Sequence, residues 1–186
     1  IKQWKCKMGL YKSIRESVKN ITPEARRNKL ANWRRTLAVQ RVARPENLAR
    51  ARSLGYRAKE GILVVRVRAL RGGRRRPLIK KGRRSKTRRM LKILDMNYQA
   101  VCEGRVSKKY PNCEVLNSYF LAKDGKNIWY EVILVDRDSP SIKTDKKLRW
   151  ITLGKNKGRT NRGLTSAHKK SRGLRRKGNG AEKVRK

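Results

Sequence analysis

Apolar and polar positions alternate most regularly in the stretch GILVVRVRAL, residues 61–70. The odd-numbered positions from 63 to 69 are all apolar, whereas the even-numbered ones include Arg66 and Arg68. A period of two belongs to an extended chain, whose successive side chains point to opposite faces. The pattern therefore predicts a strand with an apolar row on one face and two arginines on the other.

Two later runs are rich in β-branched and aromatic residues, EVLNSYFLA at 114–122 and IWYEVILVD at 128–136. The residues between them, KDGKN, contain an Asp-Gly pair, which is favoured in tight hairpin turns. These runs predict an antiparallel hairpin. The stretch LRWITL at 148–153 predicts one further strand.

The first third of the chain instead follows a helical period. Ile14 and Val18 lie four residues apart, which predicts a first helix. A second helix should begin with Thr22 as its N-cap and Pro23 at its first position. The apolar stripe of this second helix is predicted to consist of Leu30, Trp33 and Leu37.

Two more helices are predicted further along the chain. The stretch RPENLARARSLGY has Pro45 where a helix could open and Gly55 where it could close. In TRRMLKILDMNYQAVCEG, residues 87–104, Gly104 lies near the predicted end. The apolar positions at helical spacing in that stretch are Leu91, Leu94, Tyr98 and Val101. The predicted elements together indicate an α+β fold, in which a small and mainly antiparallel sheet packs with helices.

Charge divides the chain more sharply than hydrophobicity does. The sequence has 54 Lys and Arg against 13 Asp and Glu, a formal net charge of +41. Eight of the acids fall between Asp95 and Asp145, whereas residues 71–92 and 154–181 contain none. Acid-free blocks of this kind are usually solvated or bound to nucleic acid.

These differences predict the domain organisation. We expect an α+β domain at 8–153 with a basic internal loop at 71–89, followed by a basic tail at 154–186. Regular structure is predicted to stop at Gly154, so the tail would be a long extension. Residues 1–7 precede a more typical start at Met8 and are predicted to be an upstream extension.

A chain this basic is expected to bind a polyanion, most commonly nucleic acid. Arginine suits phosphate because its planar guanidinium can bind two oxygens at once. Gly72 and Gly73 would let the backbone approach a phosphate closely. The cations predicted to contact nucleic acid are Arg34, Arg35, Arg66, Arg68, Arg71, Arg74, Arg75, Arg76, Lys80, Lys81, Arg83, Arg84, Arg159, Arg162, Lys169, Lys170, Arg172, Arg175, Arg176 and Lys177.

Little in the sequence indicates catalysis or a metal site. The three cysteines form no C-x-x-C pair, and with the single His168 they do not make a zinc site of the usual kind. Asp136 and Asp138 could suggest a metal-dependent nuclease, but VDRDSP is typical of a strand that enters a turn. No apolar run approaches the roughly 20 residues that a membrane helix needs. We therefore expect no enzymatic activity, no membrane binding and no cofactor.

Several stretches, taken together, resemble the fifteen-e family of archaeal and eukaryotic large-subunit ribosomal proteins. They are MGLYK, RPENLARARSLGYRAKEGILVVRVRALRGGRRRP, VLNSYFL, YEVILVD, WIT and RGLTSA…KSRGL, in that order. The resemblance covers residues 8–178, and the short tail is similar to the archaeal members. Residues 1–7 have no counterpart in the resemblance.

The resemblance implies an α+β body with basic extensions buried in large-subunit rRNA, in a cytoplasmic ribosome. It implies neighbouring ribosomal proteins as partners, no small-molecule substrate, no homo-oligomer, and Mg²⁺ only as part of the rRNA. The positions that it carries over as RNA-facing are Arg71, Arg74, Arg75, Arg76, Arg162, Lys169, Lys170 and Arg172. An architectural protein that compacts DNA is the alternative, because it would share the charge and the lack of base readout.

Overall fold

The computed structural model describes residues 9–78, 81–82, 91–92 and 94–175. The helices in these residues are α1 (Leu10–Lys19), α2 (Pro23–Arg35), α3 (Leu48–Ser53), α4 (Tyr98–Lys109), α5 (Pro140–Lys143) and α6 (Ser166–Ser171), with 3-10 helices at Arg149–Thr152 and Gly154–Asn156. The strands are β1 (Val39–Val42), β2 (Ile62–Leu70), β3 (Arg74–Arg75), β4 (Leu91–Lys92), β5 (Cys113–Lys123) and β6 (Asn127–Asp136).

Four strands form one antiparallel sheet in the order β1-β2-β6-β5. The predicted strand at 61–70 is β2, and it pairs with β6 along its whole length. The predicted hairpin is β5–β6, and its turn is closed by the Asp124 carboxylate, which accepts from the backbone N–H groups of Lys126 and Asn127. The short strands β3 and β4 form a separate pair. The α+β prediction with a mainly antiparallel sheet is confirmed.

Helix α4 covers one face of the sheet. Cys102 and Val106 of the helix are fully buried against Val65 and Val67 of β2 and Val132 of β6. The odd-numbered row of β2 is therefore the face that meets α4, as its alternation predicts. Because these side chains are closely packed, the position of α4 on the sheet is fixed, and so are the positions of the residues on its outer side.

Helices α2 and α3 cover the opposite face. Trp33 of α2 packs on Trp129 of β6, with ring centroids 5.9 Å apart. Ala51 of α3 is buried with Tyr119 and Ile133 of the sheet. The sheet is thus buried on both faces, which explains why β6 is apolar at nearly every position rather than at alternate ones.

The second helix is capped as predicted, since the Thr22 side chain accepts from the N–H of Ala25. Its stripe is shorter than predicted: the helix ends at Arg35, and Leu37 is exposed. The third helix does not open at Pro45. The Asn47 side chain accepts from the N–H of Arg50, so the helix begins at Leu48, and it ends before Gly55, whose φ is +101°.

The predicted helix at 87–104 is wrong at both ends. The side chain of Asn97 caps the N–H of Ala100, so α4 begins at Tyr98 and runs past Gly104 to Lys109. Leu91 lies in β4 instead. Most of residues 83–93 lie outside the described residues.

The predicted last strand, LRWITL, is also wrong. Leu148 and Ile151 are three residues apart and both buried against Ile142, which a 3-10 turn permits and a strand does not.

Regular structure does not stop at Gly154. Helix α6 follows, capped by the Thr165 side chain, and Thr160, Ala167 and His168 are buried. The sequence signal misses this helix because its contacts are polar rather than apolar. Residues 1–8 and 176–186 lie outside the described residues, so the domain division itself stays a prediction.

Candidate nucleic-acid interface

The arginine segment, residues 71–76, is tied to the start of α4. The N–H of Gly72 donates to the Tyr98 hydroxyl at 2.7 Å, and that hydroxyl lies 3.3 Å from the Gly72 carbonyl. Gly72 has a φ of +91°, which favours glycine. A side chain at Gly73 would lie 3.2 Å from atoms of Leu91 and Lys92. The Gly72 N–H is thus already used by Tyr98, whereas close approach of the backbone at Gly72 and Gly73 to a phosphate stays a prediction.

The C-terminal segment, residues 154–175, is tied to α4 by a buried carboxylate. Glu103 is fully buried and accepts from the hydroxyls of Ser118 and Thr165, the latter at 2.5 Å. His168 Nδ1 lies 3.2 Å from the same carboxylate and 2.8 Å from the Thr165 hydroxyl. Since Thr165 already donates its proton to Glu103, Nδ1 of His168 must be a donor. We call these four residues the Glu103 clasp.

Asn97 adds a second attachment for the same segment. Its backbone N–H donates to Ser171 Oγ at 2.9 Å, and its side-chain amide donates to the Ala167 carbonyl at 3.2 Å. Asn97 and Tyr98 are adjacent in the chain. Consecutive residues at the start of α4 therefore hold the C-terminal segment and the arginine segment.

A concave surface, which we call the α4 groove, lies between these two segments. It consists of two adjoining cavities of about 710 Å³ and about 360 Å³ that share Arg74 and Arg105 in their walls. Asp95 is the one carboxylate among the described residues that line it. The cations that line the groove are Arg71, Arg74, Arg75, Arg105, Lys108, Arg162 and Arg172.

The arginines of β2 make contacts within the protein. The Arg66 guanidinium lies 4.7 Å from the centre of the Trp33 ring, and Arg68 donates to the Arg34 carbonyl. Burial lowers the pKa of Arg66, and the nearby carboxylates of Glu46 and Glu131 partly offset this effect. Both arginines thus hold α2 against the sheet.

Arg159 is likewise used within the protein. Its guanidinium donates to the Val115 carbonyl at 3.1 Å and lies 4.8 Å from the centre of the Trp150 ring. Burial lowers its pKa. Next to it, the N–H of Gly158 donates to the buried Glu114 carboxylate at 2.7 Å. These contacts fix the C-terminal segment to the edge strand β5.

The other predicted contact residues differ in how exposed they are. Arg34 pairs with Asp124 at 3.4 Å, and Arg71 donates to the Asp124 carbonyl. Arg76 is half-buried. The exposed members of the set include Arg35, Arg74, Arg75, Lys81, Arg162, Lys169, Lys170, Arg172 and Arg175. Lys80, Arg83, Arg84, Arg176 and Lys177 lie outside the described residues. Contact of any of these residues with nucleic acid stays a prediction.

Sequence reasoning missed Arg105 and Lys108. Their spacing from Val101, four and seven residues, places all three on one side of α4, so a helical reading of the stretch carried the signal. The Glu103 clasp was missed as well. Its partners are 15 to 65 residues from Glu103 along the chain, and no local pattern reveals such contacts.

A second buried carboxylate lies on the α2 face. Glu131 accepts from the Tyr119 hydroxyl and, with both oxygens at 3.2 Å, from the N–H of Glu46. Burial raises the pKa of Glu131 to about 7, although these hydrogen bonds act in the opposite direction. Burial and the Glu131 charge raise the pKa of Tyr119. This pair joins the start of α3 to the sheet.

Among the described residues, the groups that could suggest catalysis or metal binding are the cysteines and the aspartates at the end of β6. Burial raises the pKa of the Cys102 thiol to about 12 and that of Cys113 to about 11, so neither is a reactive thiolate. Asp136 accepts from the N–H of Asp138, as in an ordinary turn after a strand. Among the described residues no group of three metal-binding side chains occurs, and no helix is long and apolar enough to cross a membrane.

Comparison with known proteins identifies the family. A family model described as Ribosomal L15 matches residues 9–186. The chain belongs to the Ribosomal L15e family. It is 48% identical to the large ribosomal subunit protein eL15 of Methanocella arvoryzae over 178 residues. This match covers 93% of this chain and 91% of the relative.

The resemblance drawn from the six short motifs is thereby confirmed. With it are confirmed the expectations of a large-subunit ribosomal protein of archaeal type that is not an enzyme and belongs to the cytoplasmic ribosome.

Proposed function

We propose that this chain is a structural constituent of the large ribosomal subunit that binds and stabilises folded large-subunit rRNA. The contacts come from its basic helices, the arginine segment and the C-terminal segment. Neighbouring large-subunit proteins are its other partners, and it works as a single copy without substrate or cofactor. Its chemistry is neutralisation of phosphates that would otherwise repel each other.

One observation carries this proposal: the few acids of the chain are largely spent inside it. Glu103, Glu114 and Glu131 are buried and hydrogen-bonded to the protein's own backbone or hydroxyl groups. Asp124 and Asp145 pair with Arg34 and Lys59. The net charge of +41 remains after all 13 acids are counted, so the chain itself holds no further negative charge to balance it, and we expect an external polyanion to do so.

Sedimentation tests the proposal directly. A gentle cell lysate is run on a sucrose gradient before and after a moderate salt wash, and the chain is followed by mass spectrometry. We expect it to co-migrate with the large subunit through the wash. If it instead stays with nuclease-sensitive DNA and is absent from the subunit peak, the proposal fails and the DNA-compacting alternative replaces it.

A binding assay separates RNA from DNA more finely. Purified chain is titrated against refolded large-subunit rRNA, with duplex DNA of equal phosphate content as the matched competitor. A protein fitted to folded rRNA retains its RNA complex against the DNA. Equal competition by the duplex would show that charge alone drives binding, which contradicts the proposed role.

A further inference from the structure

We propose that the α4 groove is a single preformed site for the sugar–phosphate backbone of one RNA strand, with the arginine segment as one wall and the C-terminal segment as the other. This inference rests on the proposed function and goes beyond it. The two acid-free blocks are far apart in sequence and could each bind a separate RNA element. The structure instead assigns the described parts of these blocks, residues 71–76 and 154–175, to one site.

Guanidinium groups lie on both sides of the groove and at its base. Arg74 lies in both cavities of the groove, Arg162 and Arg172 lie on the C-terminal wall, and Arg105 lies between them on α4. The Arg105 guanidinium donates to the Arg68 carbonyl at 3.0 Å, so this central cation is held in place by the sheet. Guanidinium groups on both sides and at the base suit a chain of phosphates.

The floor of the groove is partly apolar. Leu94, Met96 and Val101 line it between the cations. Apolar side chains of this kind can pack against ribose and base edges while the cations meet the phosphates. A strand of RNA presents this alternation of anionic and less polar surface, whereas an acidic peptide would carry its charge on flexible side chains.

Both walls of the groove are held in place by contacts within the protein. Tyr98 holds the arginine segment through Gly72, and Asn97 holds the C-terminal segment through Ser171. The Glu103 clasp adds buried contacts to Thr165 and His168. An extension without regular structure, as the sequence predicts for this segment, would lose conformational entropy when it binds RNA. Because the described part of it is already docked, binding in the groove avoids most of that ordering cost.

Tethered hydroxyl-radical probing tests this inference. An iron chelate is attached to a cysteine placed at Leu91 beside one wall or at Asn161 on the other, and RNA cleavage is mapped on refolded large-subunit rRNA. Both positions are exposed, so the substitutions L91C and N161C leave the core intact. The background carries C6S, and its two remaining thiols, Cys102 and Cys113, are buried and unreactive.

The control is a probe at the exposed Thr144, which lies on α5's C-terminal side, away from the groove lining. We expect L91C and N161C to cut overlapping stretches of one strand and T144C to cut elsewhere. Two separate cleavage sets from L91C and N161C would overturn the single-site inference while leaving the proposed function standing. No cleavage from any of the three positions would overturn the proposed function.

Discussion

The two faces of the sheet both carry arginines and a buried glutamate, yet they use them differently. On the α2 face, the Arg66 guanidinium lies over the Trp33 ring and near Glu131, and Arg68 donates to the Arg34 carbonyl. On the α4 face, cations line an open groove, although Arg105 and Arg162 also donate to backbone carbonyls, and Glu103 holds one wall of the groove. The number of arginines on a face therefore does not give the size of its binding surface, because some of these arginines make contacts within the protein.

The largest expected effect comes from the Glu103 clasp. The substitution Glu103→Ala leaves two hydroxyls and a histidine without their buried acceptor, so we expect the free energy of unfolding to fall by about 3 kcal/mol. Hydrogen exchange of residues 165–171 should rise more than that of the sheet. Denaturant unfolding and exchange mass spectrometry measure the two effects.

The matched control is Glu60→Ala, which removes the same charge from an exposed position. We expect it to change stability by less than about 0.5 kcal/mol. Equal losses in the two variants would mean that net charge rather than the clasp sets the stability, and the α4 face would lose its distinguishing feature.

The next effect separates structural from binding arginines. Arg66→Ala removes a guanidinium from the Trp33 ring and takes a nearby cation away from the buried Glu131, so we expect a loss of about 2 kcal/mol in stability. Arg74→Ala, on the exposed wall of the groove, should cost less than about 0.5 kcal/mol. Thermal unfolding of both variants measures this difference.

RNA affinity should rank the same two variants in the opposite order. Arg74→Ala should weaken the complex with refolded large-subunit rRNA, whereas Arg66→Ala should leave the affinity of the folded fraction nearly unchanged. If Arg66→Ala weakens RNA binding as much as Arg74→Ala does, the division of the two faces is wrong.

A smaller effect is expected in the salt dependence of binding. The double variant Arg74→Ala, Arg172→Ala removes one cation from each wall, so the slope of log K against log salt should become shallower by about 0.7–0.9 for each phosphate that is no longer neutralised. The control is Lys146→Ala, Lys147→Ala, which removes two exposed cations outside the groove. Titrations at several salt concentrations give both slopes. Identical changes would mean that the groove contributes only net charge.

Much of the α2 face could be predicted from the sequence, because its signals are local. The Thr22 cap and the Asp-Gly turn at Asp124 each depend on a few adjacent residues, as does the alternation of β2, whose odd-numbered row faces α4. The side chains of these elements also report their burial through a regular period. The boundaries that failed, at Leu37 and Pro45, lie where a single capping residue decides between two neighbouring starts or ends.

The α4 face could be predicted only in part, because its contacts are polar and distant in sequence. Composition marked both basic blocks as binding surfaces. The meeting of those blocks depends on Glu103, Asn97 and Tyr98, whose partners lie 26 to 74 residues away from them in most of the contacts. A segment rich in Gly, Lys and Arg gives no apolar period, so its docking through hydroxyls and an imidazole leaves no pattern to detect.

The smallest effect concerns Glu131, the glutamate of the α2 face. Its pKa is raised to about 7 from an ordinary value of 4.5, so the folded state holds a proton that the unfolded state has already released between those two pH values. Stability must therefore fall as pH rises through this window and level off above it. Between about pH 6 and about pH 7 the loss should be about 1 kcal/mol.

Glu131→Gln should abolish this slope, because the amide keeps the shape of the protonated acid and cannot ionise. Denaturant unfolding of the two proteins at several pH values measures the difference, with Glu60→Gln as the exposed control that should leave the slope unchanged. A variant that keeps the wild-type slope would show that another group titrates there. The raised pKa of Glu131 would then not account for the pH dependence of stability, and this difference between the two faces would be lost.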